Sequence, residues 1–294
     1  MRVKLIDASG YVFRAYYALP PLVRPSDNLP VNALYGYCNM LWSLVQEGEC
    51  THMAVILDGG RSGRDEIDPA YKANRKPKPE ELITQLRLVE DATASFGIPT
   101  VKIDGMEADD VIATYARTIG ATGGEALICS SDKDLMQLLT EPNVGIYDPL
   151  KKQVVTDEVC IEKMGVEPHQ VADYLALVGD AADNIPGVNG IGPKAAAYLL
   201  QTHGDLESIL AVAERSHHTL GLKPAQAGKL AHPDSHAAAR LSRRLVELKM
   251  IDGLPDVDLL TYSEPDPERL RAYLREMEFM VLERDVAQRY SVAA

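Results

Sequence analysis

The 294-residue chain is predicted to be an α/β protein: a central, mainly parallel sheet with flanking helices, followed by an all-helical region. Three observations carry this prediction. Short apolar runs alternate with amphipathic stretches through the first half, strand signals fade from about Val166, and Gly/Pro-rich turns separate helical stretches from there to the C-terminus. The expected division is an α/β unit over 1–165 and a helical unit over 166–294.

The strands come first. "VKLID" from Val3, "MAVILD" from Met53, "TVKID" from Thr100, "ALICSS" from Ala126 and "VGIYD" from Val144 are short and rich in β-branched residues, as buried strands are. Between them, Leu34–Gln46, Glu80–Ser95, Ala108–Ile119 and Lys133–Leu139 have helical periodicity. In the second half, "HQVADYLALVGD" places Val171, Tyr174, Leu175 and Val178 on one helix face. "DAADNIPGVNGIGPKAAAYLLQTHG" then supplies a turn with Gly187, Gly190 and Gly192, and Pro193 at a first helical position. This predicts a helix–hairpin–helix over about 170–204. The later "SHHTLGLKPAQAGKLAHPDSHAAA" reads as a polar connection whose histidines lack metal-ligand spacing.

Open parallel sheets bind ligands beyond the carboxyl ends of their strands. Those ends are acidic here. Asp7 closes the first strand and Asp58 the second; Glu107, Asp109 and Asp110 follow the third, and Asp132 and Asp134 the fourth. Each alone is explained by an N-cap, a turn or a favourable helix dipole, the last worth about 0.3–1 kcal/mol. Jointly they predict a carboxylate rim. Asp180 and Asp183, placed where a helix C-terminus disfavours anions, would add two more acids from the helical half.

Carboxylate-rich oxygen sites suit hard cations such as Mg²⁺ or Mn²⁺. Two such ions can clamp the attacking and leaving oxygens of a phosphoryl displacement. The net charge of −13 argues against a polyanion partner, but cations held by the rim would offset it locally. The Arg61–Pro79 segment also carries six Lys/Arg against three acids. Small residues and helix N–H groups at the hairpin, with Lys194 beside them, suit a phosphate backbone. No run of about 20 apolar residues occurs, and the four cysteines form no C-x-x-C pair, which suits a reducing cytoplasm.

The ordered stretches "LIDAS", "FRAYYALPPL", "ILDGG", "YKANR", "EADD", "SSDKDLMQL" and "LVGDAADNIPGVNGIGPKAA" resemble the 5′-nuclease domain of bacterial DNA polymerase I, within the flap-endonuclease superfamily. The resemblance spans nearly the whole chain. It implies a PIN-like sheet, a helical arch within about 61–95, and a helix–hairpin–helix that binds duplex DNA. All nine acids, Asp7, Asp58, Glu107, Asp109, Asp110, Asp132, Asp134, Asp180 and Asp183, match positions that bind two divalent metals in that family. Lys72 and Arg75 match its catalytic arch cations, Arg14 and Arg64 further basic positions near the phosphate, and Tyr71 a stacking surface for an unpaired base. Gly187, Gly190, Gly192 and Lys194 match the duplex-binding hairpin, where carbonyls hold a K⁺ ion against a phosphate. The implied substrate is DNA with a 5′ flap or 5′ end. A DNA polymerase in cis or trans is the implied protein partner, with monomeric action in the cytoplasm near the nucleoid and no membrane.

The chain departs from the family pattern around "DGGRSGRDEIDP", which is one residue shorter, carries no Phe before Arg64 and has Asp68 where Tyr is expected. Three alternatives stand beside this reading. A PIN-type ribonuclease would have little use for a duplex-binding hairpin. A catalytically silent DNA-junction binder would be expected to have lost a carboxylate. A hydrolase with an Asp nucleophile would carry a strand-end D-x-D, which follows neither "VKLIDAS" nor "MAVILD".

Overall fold

The computed structural model describes residues 1–47 and 50–291. Six strands, β1 (Arg2–Asp7), β2 (His52–Leu57), β3 (Thr100–Lys102), β4 (Glu125–Cys129), β5 (Val144–Asp148) and β6 (Gln153–Val155), form one sheet in the order β3-β2-β1-β4-β5-β6. All pairings are parallel except β5 with β6. The five expected strands are present within a few residues of their predicted limits. β6 was not expected, because three residues give too short a pattern to read. The chain leaves β1 towards β2 on one side and β4 on the other, so the sheet's switch point lies at the end of β1.

Residues on β1 alternate between two cores. Val3 and Leu5 join Ile56 and α6 (Ala108–Ala121) on one face; Ile6 joins α1 (Ala8–Ala18) and α2 (Asn32–Gln46) on the other. Lys4 is buried on that second face, where its Nζ donates to Leu44 O at 3.0 Å. A strand covered on both sides in this way reads as a continuous apolar run.

Helices α3 (Arg64–Ile67), α4 (Glu80–Leu86) and α5 (Val89–Ser95) fill the stretch between β2 and β3. The helix expected over 80–95 divides at Arg87–Leu88. The break leaves Gln85 on α4, buried, with its Oε1 accepting from Ala33 N at 2.7 Å and Leu34 N at 3.1 Å. It thereby caps α2, whose own cap residue Val31 has no acceptor. Residues 68–79, expected within a helical arch, are turns and coil between α3 and α4.

After β6 come α7 (Asp157–Met164), α8 (Val171–Val178), α9 (Pro193–His203), α10 (Leu206–Ser216), α11 (Pro224–Leu230), α12 (Pro233–Val246), α13 (Pro267–Glu276) and α14 (Met280–Ser291). The stretch from Ser216 that reads as a polar connection is largely helical, forming α11 and the start of α12. Its small residues Ala227 and Ala239 are buried in the helical core, a pattern too sparse to stand out among its histidines. Helices α13 and α14 return to the sheet half, where Leu270, Leu274, Leu282 and Val286 share a core with Leu34, Tyr37 and Leu41. All four cysteines are free, and no helix among the described residues is long and apolar enough to cross a membrane.

One buried ion pair joins α3, α6 and the segment after α12. The Arg64 guanidinium bonds both oxygens of Asp110, at 2.5 and 3.0 Å, and donates to Leu245 O and Glu247 O, each at 2.7 Å. Lys249 N donates to Asp110 Oδ1 at 2.8 Å. Arg64 is 2% exposed and Asp110 0%. Removing one partner leaves an uncompensated charge in the interior, so Arg64→Met is expected to lower unfolding free energy by about 3–5 kcal/mol. Urea denaturation checks this, and a loss under about 1 kcal/mol would show that the pair is not holding these elements together.

Candidate active site

The carboxyl ends of β1, β2 and β4 lie side by side, and this register brings distant acids together. Asp7 ends β1 and starts α1: its Oδ1 accepts from Gly10 N at 3.2 Å. Its Oδ2 accepts from Ser130 Oγ at 2.9 Å, and the same oxygen of Ser130 accepts from Asp132 N at 3.0 Å. Ser130 therefore fixes two rim acids at once. Asp132 Oδ1 in turn accepts from Asp134 N at 2.9 Å.

The third segment is held by glycine. After β2, Gly59 and Gly60 run against residues 103–106, with Gly105 N donating to Gly59 O at 2.8 Å and Gly59 N to Met106 O at 2.9 Å. A Cβ on Gly59 would lie 2.0 Å from Ile103 O. Only glycine permits this approach, which sets exposed Asp58 beside the loop leading to Glu107. Glu107 caps α6 with extended backbone, and Asp109 and Asp110 lie in the first turn.

Electrostatics and ion pairing separate seven of the nine acids into two groups. Burial, then the charges of Asp132 and Asp58, raise the Asp7 carboxyl to about 6, against the hydrogen bonds from Gly10 and Ser130. Burial and Asp132 likewise raise Asp134 to about 7, and its Oδ1 is buried without a hydrogen-bond partner. Asp109 lies well above the usual carboxylate range, through burial and then the charges of Asp132, Asp7, Asp134 and Glu107. These carboxylates sense one another, with Lys133 offsetting part of the repulsion at Asp134.

The other group is already paired. Glu107 accepts from Lys72 Nζ at 2.9 Å and Tyr71 Oη at 3.1 Å. Asp180 accepts from Lys133 Nζ at 2.6 Å; burial opposes its charge, but Lys133 keeps the carboxyl below its usual range. Asp183 bonds Arg75 and has Lys72 Nζ at 3.8 Å. Asp110 is lowered too: burial works against its charge, and the Arg64 hydrogen bonds outweigh it. Among the described residues, no group of three or more His, Cys, Asp or Glu side chains is arranged so that it could hold a metal ion.

The donor chemistry nevertheless fits hard cations. Asp7, Asp109, Asp132 and Asp134 offer oxygen only, carry unbalanced negative charge, and include the unpartnered Asp134 Oδ1. A divalent ion would relieve the repulsion that raises Asp7, Asp109 and Asp134.

Four expected roles meet a different placement. Arg64 is turned inward onto Asp110, with no exposed guanidinium for a phosphate. Asp110, its lone pairs used by Arg64 and Lys249, sits away from solvent. Tyr71, expected as a stacking surface, is 3% exposed and points its hydroxyl at Glu107. Gly187 is also interior: with φ +61°, its N–H donates to buried Ser242 Oγ at 3.0 Å, and a Cβ there would lie 2.5 Å from Gly179 N. Arg14 and Arg75 are exposed, as are Gly190 and Lys194, and Gly192 is partly so at the start of α9. Ser130 and Lys133 were not singled out. Both residues lie in "SSDKD", beside Asp132 and Asp134.

Because Asp7 and Asp134 bind protons more tightly in the folded chain than at their ordinary value of 3.8, their ionisation opposes folding. The penalty is absent below about pH 4 and complete above about pH 7. Asp134→Asn in EDTA is therefore expected to raise Tm by several degrees at about pH 8 and much less at about pH 5. An equal effect at both pH values would contradict the repulsion.

Comparison with known proteins bears on this geometry. Residues 2–165 match the family described as 5'-3' exonuclease, N-terminal resolvase-like domain, and residues 166–268 match 5'-3' exonuclease, C-terminal SAM fold. The chain is 45% identical over 293 residues to DNA polymerase I of Rhizobium leguminosarum, covering 97% of this chain but only 28% of that protein. It is 35% identical to a 5'-3' exonuclease of Aquifex aeolicus, covering 96% of this chain and 94% of that one. The fold is similar to that of the T5 D15 protein co-crystallized with metal ions, with a TM-score of 0.68 at 24% identity over 84% of this chain and 90% of that one. It is also similar to the catalytic core of Rad2 in complex with DNA, with a TM-score of 0.59 at 15% identity over 94% and 87%. With both family models matching in order along one continuous site-bearing chain, this protein belongs to the 5′–3′ exonuclease family.

Proposed function

We propose that the chain is a structure-specific, divalent-metal-dependent 5′ nuclease that hydrolyses DNA phosphodiesters at 5′ ends and 5′ flaps, in replication and repair. The observation that carries this is the set of unbalanced carboxylates Asp7, Asp109, Asp132 and Asp134, bordered by Lys72 and Arg75. Asp58, Glu107, Asp180 and Asp183 complete the ligand set, directly or through water. When bound, two Mg²⁺ or Mn²⁺ ions would supply a hydroxide nucleophile near neutral pH and Lewis-acid stabilisation of the phosphoryl oxygens.

The chain's own residues do the rest. Ser130 orients Asp7 and Asp132 through its two hydrogen bonds. Lys72 and Arg75 would meet the charge developing on a scissile phosphate. Arg64 and Asp110 position α6, and so the Glu107 and Asp109 it carries. Exposed Gly190 and Lys194, with partly exposed Gly192, present the hairpin and the N-terminus of α9 to a duplex backbone, with K⁺ at the hairpin carbonyls. Arg14 lies on α1 for a further phosphate. The chain acts as a monomer, with a DNA polymerase in cis or trans.

The test is an end-labelled 5′-flap DNA incubated with Mg²⁺ or EDTA, beside a matched RNA. Cleavage of DNA in Mg²⁺ alone is expected; preference for RNA would favour a ribonuclease. Asp109→Ala is expected to abolish cleavage while flap binding stays measurable, and parental activity in that variant would end the metal account. Lys72→Ala should slow single-turnover cleavage by about 10²–10³-fold, as loss of a transition-state donor does; an unchanged rate would remove Lys72 from the mechanism.

A further inference from the structure

The cations proposed to meet the phosphate are, in this structure, bonded to the carboxylates proposed to meet the metals. Lys72 Nζ lies 2.9 Å from Glu107 Oε1 and 3.8 Å from Asp183 Oδ2, and Arg75 bonds Asp183. Lys133 Nζ lies 2.6 Å from Asp180 Oδ2. The backbone follows the same docking: Lys72 N donates to Asp183 O at 2.9 Å, Asn74 Nδ2 to Ala181 O at 2.8 Å and Asn184 Nδ2 to Ala70 O at 2.7 Å. Residues 70–75 therefore lie against the loop 181–184.

Resting on the nuclease reading above, we propose that Lys72, Arg75 and Lys133 are exchangeable counter-ions of the carboxylate rim. They neutralise Glu107, Asp180 and Asp183 while the rim is free of metal, and divalent ions displace them. Loading then does two things at once: it gathers the carboxylates, and it releases Lys72 and Arg75 for the substrate phosphate.

Charge and exposure support the exchange. An ammonium bonded to Glu107 is poorly placed to give full charge to a phosphate. Ion pairs reached by solvent are weak, and the side chains of Arg75 and Lys133 are 50% and 39% exposed, so a doubly charged ion can take their carboxylates; Lys72, at 12%, is more enclosed, and its release follows that of Arg75 from the shared Asp183. The contrast is Arg64, whose side chain is 3% exposed and tied to two carbonyls as well as Asp110. That pair is fixed.

The test uses the whole chain and Mn²⁺. Free Mn²⁺ is measured by electron paramagnetic resonance, and tryptic cleavage after Lys72 and Arg75 is timed against cleavage after Lys229 on α11 as internal control. With ionic strength matched by NaCl, Mn²⁺ is expected to speed cleavage after Lys72 and Arg75 at least about fivefold and to leave the control site unchanged. Asp183→Asn should make the metal-free segment nearly as cleavable as the loaded one. Lys133→Met should bind Mn²⁺ at least about threefold more tightly, with Lys133→Arg close to the parent. Bound Mn²⁺ with unchanged cleavage would overturn the exchange and leave the metal site standing. Failure of Mn²⁺ to bind would remove both.

Discussion

Parallel strands that end at one level bring the segments that follow them together, and in this chain those segments carry carboxylates. Burial and mutual repulsion raise the proton affinity of Asp7, Asp109 and Asp134 together. The surrounding structure can be understood as a response to that repulsion. N–H and O–H donors from Gly10 and Ser130 offset part of it at Asp7, and Lys133, Lys72 and Arg75 neutralise neighbouring acids. Such a site costs stability unless positive charge reaches it, which ties its chemistry to its thermodynamics.

The two halves of the chain meet across this rim. Lys133, from the sheet half, bonds Asp180 at the end of α8; Asp183 receives cations from the 68–79 segment. On the far side, the Arg64–Asp110 pair binds the segment following α12. Helices α13 and α14 pack on the opposite sheet face with α2. The helical half is thus bolted to the sheet at the rim and behind it, which keeps the hairpin at a set distance from the acids.

Much of this was legible in the residues, for a physical reason. Strands covered on both faces are uniform apolar runs, and Asp at their ends is visible without any tertiary knowledge. So β1 to β5 and the rim acids could be read, together with the hairpin glycines. What could not be read was direction. Arg64 and Tyr71 sit in a polar, basic stretch that suggests exposure, but Asp110 and Glu107 draw them inward. Gly187 looks like its neighbours Gly190 and Gly192, but only it is pressed against Gly179. Nor does helical periodicity show the break at Arg87–Leu88, since that depends on Gln85 reaching the bare end of α2. Each of these depends on a partner about 30 or more positions away or on a backbone contact, which local pattern does not encode.

The loop after α8 closes on itself, with Asp180 N donating to Ile185 O at 3.0 Å and Ile185 N to Asp180 O at 2.8 Å, and Gly179 and Gly187 in close apposition beneath. Two rim acids therefore travel with the helical half as one prefabricated cassette. A chimera that grafts this half onto another sheet would import Asp180 and Asp183 already set relative to each other.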